Sequence, residues 1–195
     1  AITEMYLKGL LSQDGNISEE HAKKTKRIQK DGRTYRFLIQ DGINKIYISQ
    51  KDIRAIQLAK AALYAGIKLL MEKMQIKSVD RIVLAGAFGS NINSKYAMIL
   101  GMIPDCDLDS VKIAGNAAST GARITLLSQS ARQSVEGLVR KIEKVETAVE
   151  PNFQKHFIEA MSIPHKTDTF DNLRQHTCLP NQDEPRSKRR TRISR

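Results

Sequence analysis

Two runs of very small residues are the sequence's clearest opportunity for chemistry. In the first, Gly86-Ala87-Phe88-Gly89-Ser90 follows the short apolar run IVLA. Two glycines around a small residue let the main chain turn sharply, and a flat ligand can approach it with no Cβ in the way. In the second, AGNAASTGA at 114–122 runs into RITLLS and has the composition of a helix start, where free amides can hold phosphate. Each run also has a plainer reading, a glycine turn that merely ends a strand and a tight helix-on-sheet contact without a ligand. A third singular residue is Lys60, placed in an otherwise apolar helical stripe. It either lies at the stripe's edge with its ammonium reaching water, or marks a turn bordering a polar cleft that holds an anionic ligand.

Other chemistries find little support. His21, His156, His165 and His176 are scattered, with no HExxH and no pair at metal-binding spacing, so packing or surface roles are expected of them. Cys106 and Cys178 are too few and too far apart for a disulfide framework, a structural zinc or a thiolate-held iron-sulfur cluster within this chain. Asp105, Asp107 and Asp109 crowd one loop, but unsupported acids more often cap a turn than hold a metal. No GxSxG, Walker or GxGxxG pattern occurs. No metal site is expected.

The elements that must position these residues can be read from pattern. ITEMYLKGLL starts mid-helix on Ala1, with Ile2, Met5 and Tyr6 on one face, and suggests a piece of a longer polypeptide. Asp-Gly pairs at 14–15, 31–32 and 41–42 punctuate RTYRFLI and NKIYIS, so residues 25–49 are expected to form a small antiparallel meander. Ser49, with Asp52 in the first turn, can cap a long helix whose buried stripe reads Ile53, Ile56, Leu63, Ile67, Leu70 and Met74. IVLA is a buried strand. Ser94 can cap a short helix ending at Gly101. Val135, Leu138, Val139 and Ile142 mark another amphipathic helix, VETAV reads as a strand, and Phe153, Phe157 and Met161 mark a last helix. Alternating strands and helices from 49 to 161 indicate an α/β fold with a largely parallel or mixed sheet. Residues after Pro164 are expected to run as an extended tail.

Charge is uneven. The 195 residues carry 32 Lys and Arg against 21 Asp and Glu, a formal excess of +11, and six of those cations fall in the last ten residues, RSKRRTRISR. That tail suits an electrostatic contact with nucleic acid or an acidic protein, or else a solvated end. The apolar runs fall short of the roughly 20 residues needed to cross a bilayer, and AITEMYLKGLL lacks the form of a secretory leader. A cytoplasmic protein with no membrane partner is expected.

Taken in order, SQKDIRAIQLAKAALYAGIKLLMEKM, VDRIVLAGAFGSNINSKYAMILGMIPD, VKIAGNAASTGARITLLS and IEKVETAVEPNFQKHFIEAMSIPHK resemble the C-terminal part of the ferredoxin-linked reductive activators of corrinoid proteins. These belong to the acetate and sugar kinase, heat-shock chaperone and actin superfamily. The resemblance covers about residues 1–166 and implies an actin-like, ribonuclease H-like α/β lobe. Residues 1–48 would be a helix and meander left from the preceding lobe or an insertion, 49–165 the nucleotide-binding lobe, and 166–195 a basic tail.

By the same resemblance, LAGAFGS looks like the adenosine motif, with Gly86, Ala87, Phe88, Gly89 and Ser90 contacting the nucleoside. AGNAASTGA is similar to the second connecting helix, giving Gly115, Asn116, Ala117, Ala118 and Gly121 to the contact between lobes. The helix before the adenosine strand flanks the base in relatives, which assigns Gln57 and Lys60 beside the nucleotide. The implied cofactors are ATP with Mg, and a two-iron, two-sulfur cluster only in an N-terminal domain outside this chain. The implied partner is a corrinoid protein or methyltransferase that accepts the electron. A homodimer is compatible with the pattern, as is a different kinase-like activator serving a methyltransferase or dehydratase. This fragment is expected to be inactive alone. The rival reading is an actin-like interaction module without nucleotide, holding nucleic acid or an acidic protein through residues 186–195.

Overall fold

The computed structural model describes residues 1–87 and 89–180. Phe88 and the basic tail 186–195 therefore lie outside the described residues, and the expectations placed on them are not addressed by the fold.

The chain opens with α1 (Ile2–Leu7) and α2 (Glu19–Lys24). In α1, Ile2, Met5 and Tyr6 are buried as their spacing requires. Ser18 starts α2 by a reciprocal exchange: its side chain accepts from the His21 amide, and the Ser18 amide donates to the His21 ring. Pattern reading missed this helix because His stands where Glu or Gln gives the usual signature.

Strands β1 (Ile28–Asp31), β2 (Thr34–Gln40) and β3 (Ile46–Ser49) form the expected antiparallel meander. Asp31 pairs with Thr34, so β1 and β2 are joined by a two-residue turn, and Gly32 supplies its positive φ of 59°. Tyr35, Phe37 and Ile48 turn one face of the meander toward the core. Ser49 and Asp52 then cap α3 (Gln50–Lys73) in a full capping box, as expected.

The second sheet is a parallel pair, β4 (Ile82–Ala85) and β5 (Val111–Gly115). Between them lies α4 (Ser94–Leu100), stopped by Gly101 in the left-handed conformation at φ 75°. Its cap is Asn93, whose side chain accepts the Tyr96 amide, and Ser94 is its first helical residue. After β5 come α5 (Ala117–Leu127), α6 (Gln129–Val139), α7 (Phe153–Glu159) and α8 (Asp171–His176).

Besides the cap of α4, four expectations are corrected. The strand IVLA is not buried: its residues alternate between partly buried and exposed, with Val83 54% exposed, because β4 belongs to a two-stranded sheet. VETAV is not a strand, because residues 145–149 run from irregular chain into a turn with no strand beside them to pair with. The segment after Pro164 is not an extended surface tail up to residue 180: it forms α8 and places Phe170, Leu173 and Leu179 in the core. The stripe assigned to α3 is on the wrong face. Only Ile53 of it is fully buried, while Ile56, Leu63, Leu70 and Met74 are 39–69% exposed. The buried face instead carries Gln57, Lys60, Ala61, Tyr64 and Ala65.

Candidate functional site at the carboxyl ends of the parallel strands

Parallel strands align their carboxyl ends, and ligands of open α/β sheets settle in the crevice beyond those ends. Here β4 leads into Gly86 (φ 96°) and β5 finishes on Gly115 (φ 62°), both in backbone conformations that favour glycine. The Gly86 amide donates to the Gly115 carbonyl at 2.7 Å, so the two runs of small residues identified in the sequence meet at one junction. A Cβ built on either glycine would meet nothing within 4 Å. The junction is open.

The loop after β4 is braced from within. Both the amide and the hydroxyl of Ser90 donate to the Gly86 carbonyl at 3.2 Å, and the Asn91 side-chain amide donates to the Ala87 carbonyl at 3.1 Å. Gly89 has a different task. A Cβ there would lie 3.1 Å from the Leu84 carbonyl carbon, so this glycine lets the loop fold back onto its own strand, and its bare side faces β4. Across the junction Asn116 caps α5 by accepting the Ser119 amide at 3.1 Å. Ala117, Ala118 and Gly121 are exposed, and Gly121 has nothing within 4 Å of its missing Cβ. The tight helix-on-sheet contact weighed as an alternative for this run is therefore absent at Gly121 among the described residues.

Gln57 and Lys60 are placed elsewhere, in the core. Gln57 is 2% exposed and its amide donates to the carbonyls of Asp14 (3.1 Å) and Met161 (2.8 Å). Lys60, also 2% exposed, donates to Ser162 and Pro164 (2.8 Å to the latter). Lys60 thus neither reaches water at the edge of a stripe nor lines an open cleft. Burial lowers its pKa to about 7.

The same helix face continues with Tyr64, whose hydroxyl donates to Asp168 at 2.7 Å, and Lys68, which bridges the same carboxylate at 3.2 Å. Burial resists ionisation of Asp168, but the Tyr64 hydroxyl, with His165 and Lys68 nearby, holds its carboxyl below the usual range. His165 is fully buried against Tyr64, ring centroids 4.8 Å apart, and burial pushes its pKa down to about 4. Its Nδ1 accepts the Asp168 amide at 3.0 Å, so the neutral ring holds its proton on Nε2. Gln57, Lys60, Tyr64 and Lys68 therefore form one polar stripe, at steps of three, four and four, that clasps the segment 161–168 to α3. Those steps were visible in the sequence and are the signal that could have found the clasp.

Beside the clasp, a cleft of about 470 Å³ is lined by Tyr64, Lys68, Val79, Asp105 and Thr169 among others. Val79 and Asp105 place it near the amino ends of the parallel strands, away from the glycine junction. Asp105 is already committed there, accepting the Asn172 and Leu173 amides at 2.8 and 3.0 Å. No group of three or more metal-ligating side chains gathers among the described residues.

Comparison with known proteins agrees with this architecture. The family model described as the C-terminal domain of RACo, the ASKHA domain, matches residues 1–174. The chain belongs to this family. The corrinoid activation enzyme RamQ of Eubacterium limosum is 34% identical over 170 residues, covering 81% of this chain and 29% of RamQ. A solved structure, a reductive activator for corrinoid, iron-sulfur protein, superimposes with a TM-score of 0.72 at 30% identity, over 84% of this chain and 27% of that one. The chain therefore spans under a third of the length of the relatives it matches. Within the RACo C-terminal family, the α/β fold expected from the sequence is the fold found: the antiparallel meander forms its own sheet, and the sheet expected over 49–161 is the parallel pair β4 and β5 among the described residues.

Proposed function

We propose that this chain is the nucleotide-binding lobe of an ATP-dependent reductive activator that delivers an electron to a corrinoid protein. The observation carrying this reading is the hydrogen-bonded junction of Gly86 and Gly115, open above both glycines at the carboxyl ends of β4 and β5. A Cβ on either residue would project into that space, so the bare main chain suits the flat face of a nucleoside. In this reading Gly86, Ala87 and Ser90 meet adenosine, while Asn116, Ala117, Ala118 and Gly121 meet the opposing lobe. Gly89 supports the loop, and Gln57 and Lys60 support the lobe from beneath.

ATP with Mg supplies the favourable step that an uphill reduction needs. Nucleotide moves a two-state protein only through a difference in its affinity for the two states, so the lobe must bind ATP differently when open and closed. The chain's own residues provide a rigid platform and a smooth α5 face for that movement. The two-iron, two-sulfur cluster of this reading belongs to another part of the polypeptide, since Cys106 is buried and Cys178 stands alone. The exposed apolar residues of α3, and Val135, Leu138 and Val139 of α6, are then the faces that meet the rest of the longer protein.

Gly121→Leu in the full-length gene product tests the reading. With open space around the site and no positive φ, leucine costs this lobe no stability, yet it obstructs the α5 face. Calorimetry is expected to show Mg-ATP affinity at least tenfold weaker. Unchanged affinity removes the assignment of α5, and no ATP binding by the wild-type protein removes the function.

A further inference from the structure

Within residues 22–54, which form the second half of α2, the meander and the first turn of α3, ten Lys and Arg face three carboxylates, whereas the rest of residues 1–180 contains sixteen of each sign. The whole cationic excess of the described residues therefore sits on one contiguous part of the fold, where α2 packs on β1 and α3 on β2 and β3.

Much of that charge is uncompensated. Lys23 and Lys45 have local partners in Glu19 and Asp41, Arg27 donates to the Leu38 and Ile39 carbonyls, and Arg36 stacks 4.0 Å over Tyr47. Lys26, Lys30, Arg33, Lys51 and Arg54 have no ion pair among the described residues, and all five are exposed. Lys51 and Arg54 also stand in the first turns of α3, where the helix dipole disfavours cations. Local stability does not account for them.

The patch has an apolar tip. Ile39 and Ile46 are 38% and 48% exposed and Ile43 is fully exposed, together marking the β2–β3 connection. Apolar contacts within a cationic surround match the anatomy of a protein interface. Single-stranded nucleic acid would instead want free aromatic faces, but Tyr47 is covered by Arg36, and Tyr35 and Phe37 pack on the core.

We propose that the face formed by α2, the meander and the start of α3 docks an acidic protein surface that has an apolar centre. Opposite potentials steer such an encounter and set its register, and the isoleucine tip supplies the desolvated contact. The proposal does not depend on nucleotide binding at the glycine junction.

The test uses the full-length gene product with residues 186–195 deleted, so that the basic tail does not compete. Binding of a labelled glutamate-tyrosine copolymer is measured at low and high salt, beside poly-L-glutamate, a DNA duplex and phosphatidylserine vesicles. The copolymer is expected to bind more tightly than poly-L-glutamate, with affinity falling as salt rises. Reversing Lys30, Arg33, Lys51 and Arg54 to Glu is expected to weaken it at least tenfold, and the milder change of all four to Gln to weaken it by less. Ile43→Ser should erase the preference for the copolymer. Reversing Lys77, Lys141, Lys144 and Lys155 to Glu should change affinity less than twofold. Equal losses from both reversed sets overturn the proposal, as does tighter patch-dependent binding to DNA or to vesicles.

Discussion

Gly101→Ala isolates the contact between the end of α4 and the 161–168 segment that Lys60 holds. Gly101 ends α4 at φ 75°, a conformation costing a residue with a Cβ about 1–2 kcal/mol. The new methyl would also stand 2.0 Å from the Pro164 carbonyl oxygen and 3.1 Å from the Lys60 amine. Since the oxygen belongs to main chain, the 161–168 segment must move by about an ångström or the end of α4 must unwind. Either shift stretches the 2.8 Å bond from Lys60 to Pro164, and an unsatisfied buried carbonyl costs about 1–3 kcal/mol. Together the losses come to about 2–5 kcal/mol. Urea unfolding measures the change, with Gly121→Ala as reference: that glycine is helical, open and free of positive φ, so alanine is expected to stabilise by about 0.5–1 kcal/mol. A double-mutant cycle sharpens the test. In a Lys60→Met background the bond to Pro164 is already gone, so the Gly101→Ala penalty should fall by the share assigned to it. A Gly101→Ala protein within 1 kcal/mol of wild type, or full additivity with Lys60→Met, refutes the reasoning.

Two pH dependences follow from the same clasp. Lys60 has its folded pKa near 7 and an ordinary one of 10.5, so between these values the unfolded chain binds the extra proton, and stability should rise with pH by up to about 1.4 kcal/mol per unit; the rise should vanish in Lys60→Met when denaturation midpoints are compared from pH 7 to 10. His165 is neutral when folded and ordinary at 6.5 when unfolded, so stability should be lost as pH falls from about 6.5 to about 4, by about 3 kcal/mol in all. His165→Gln keeps a hydrogen-bond acceptor without a titrating ring, and its acid limb should be flatter over that window than that of the wild type.

Local rules made the meander, the end of α4 and the start of α3 readable, because each depends on residues within a few positions: Asp31-Gly32 for the turn, Ser49 with Asp52 for the cap, Gly101 for the stop. Tertiary choices were less accessible. Hydrophobicity assigned α3's apolar stripe to the interior, yet the helix turns Gln57, Lys60, Tyr64 and Lys68 inward because irregular chain at 161–168 needs donors for its carbonyls, which no apolar face can supply. The two small-residue runs were legible as candidates. That they touch was not, because nothing in either run states that β4 and β5 are neighbours. Gly89 shows the limit most sharply: sequence pairs it with Gly86, but one missing Cβ faces open space and the other faces Leu84.

The division of labour between the two faces of this lobe bears on how nucleotide could drive movement. A ligand's differential affinity is transmitted only as far as the element it touches moves as one body, since a compliant support absorbs the same free energy in local rearrangement. The glycine junction is supported by β4 and β5, while α3 holds the return segment through four polar side chains that fix both position and register. An apolar contact would resist separation but tolerate sliding, whereas hydrogen bonds from Gln57 and Lys60 to successive carbonyls at 161, 162 and 164 do not. Under the proposed function, loosening the clasp with Lys60→Met should therefore leave ATP affinity nearly intact and lower the yield of reduced corrinoid per ATP hydrolysed. A variant that loses affinity and yield in parallel would place Lys60 at the nucleotide after all, against its burial beneath Ser162 and Pro164.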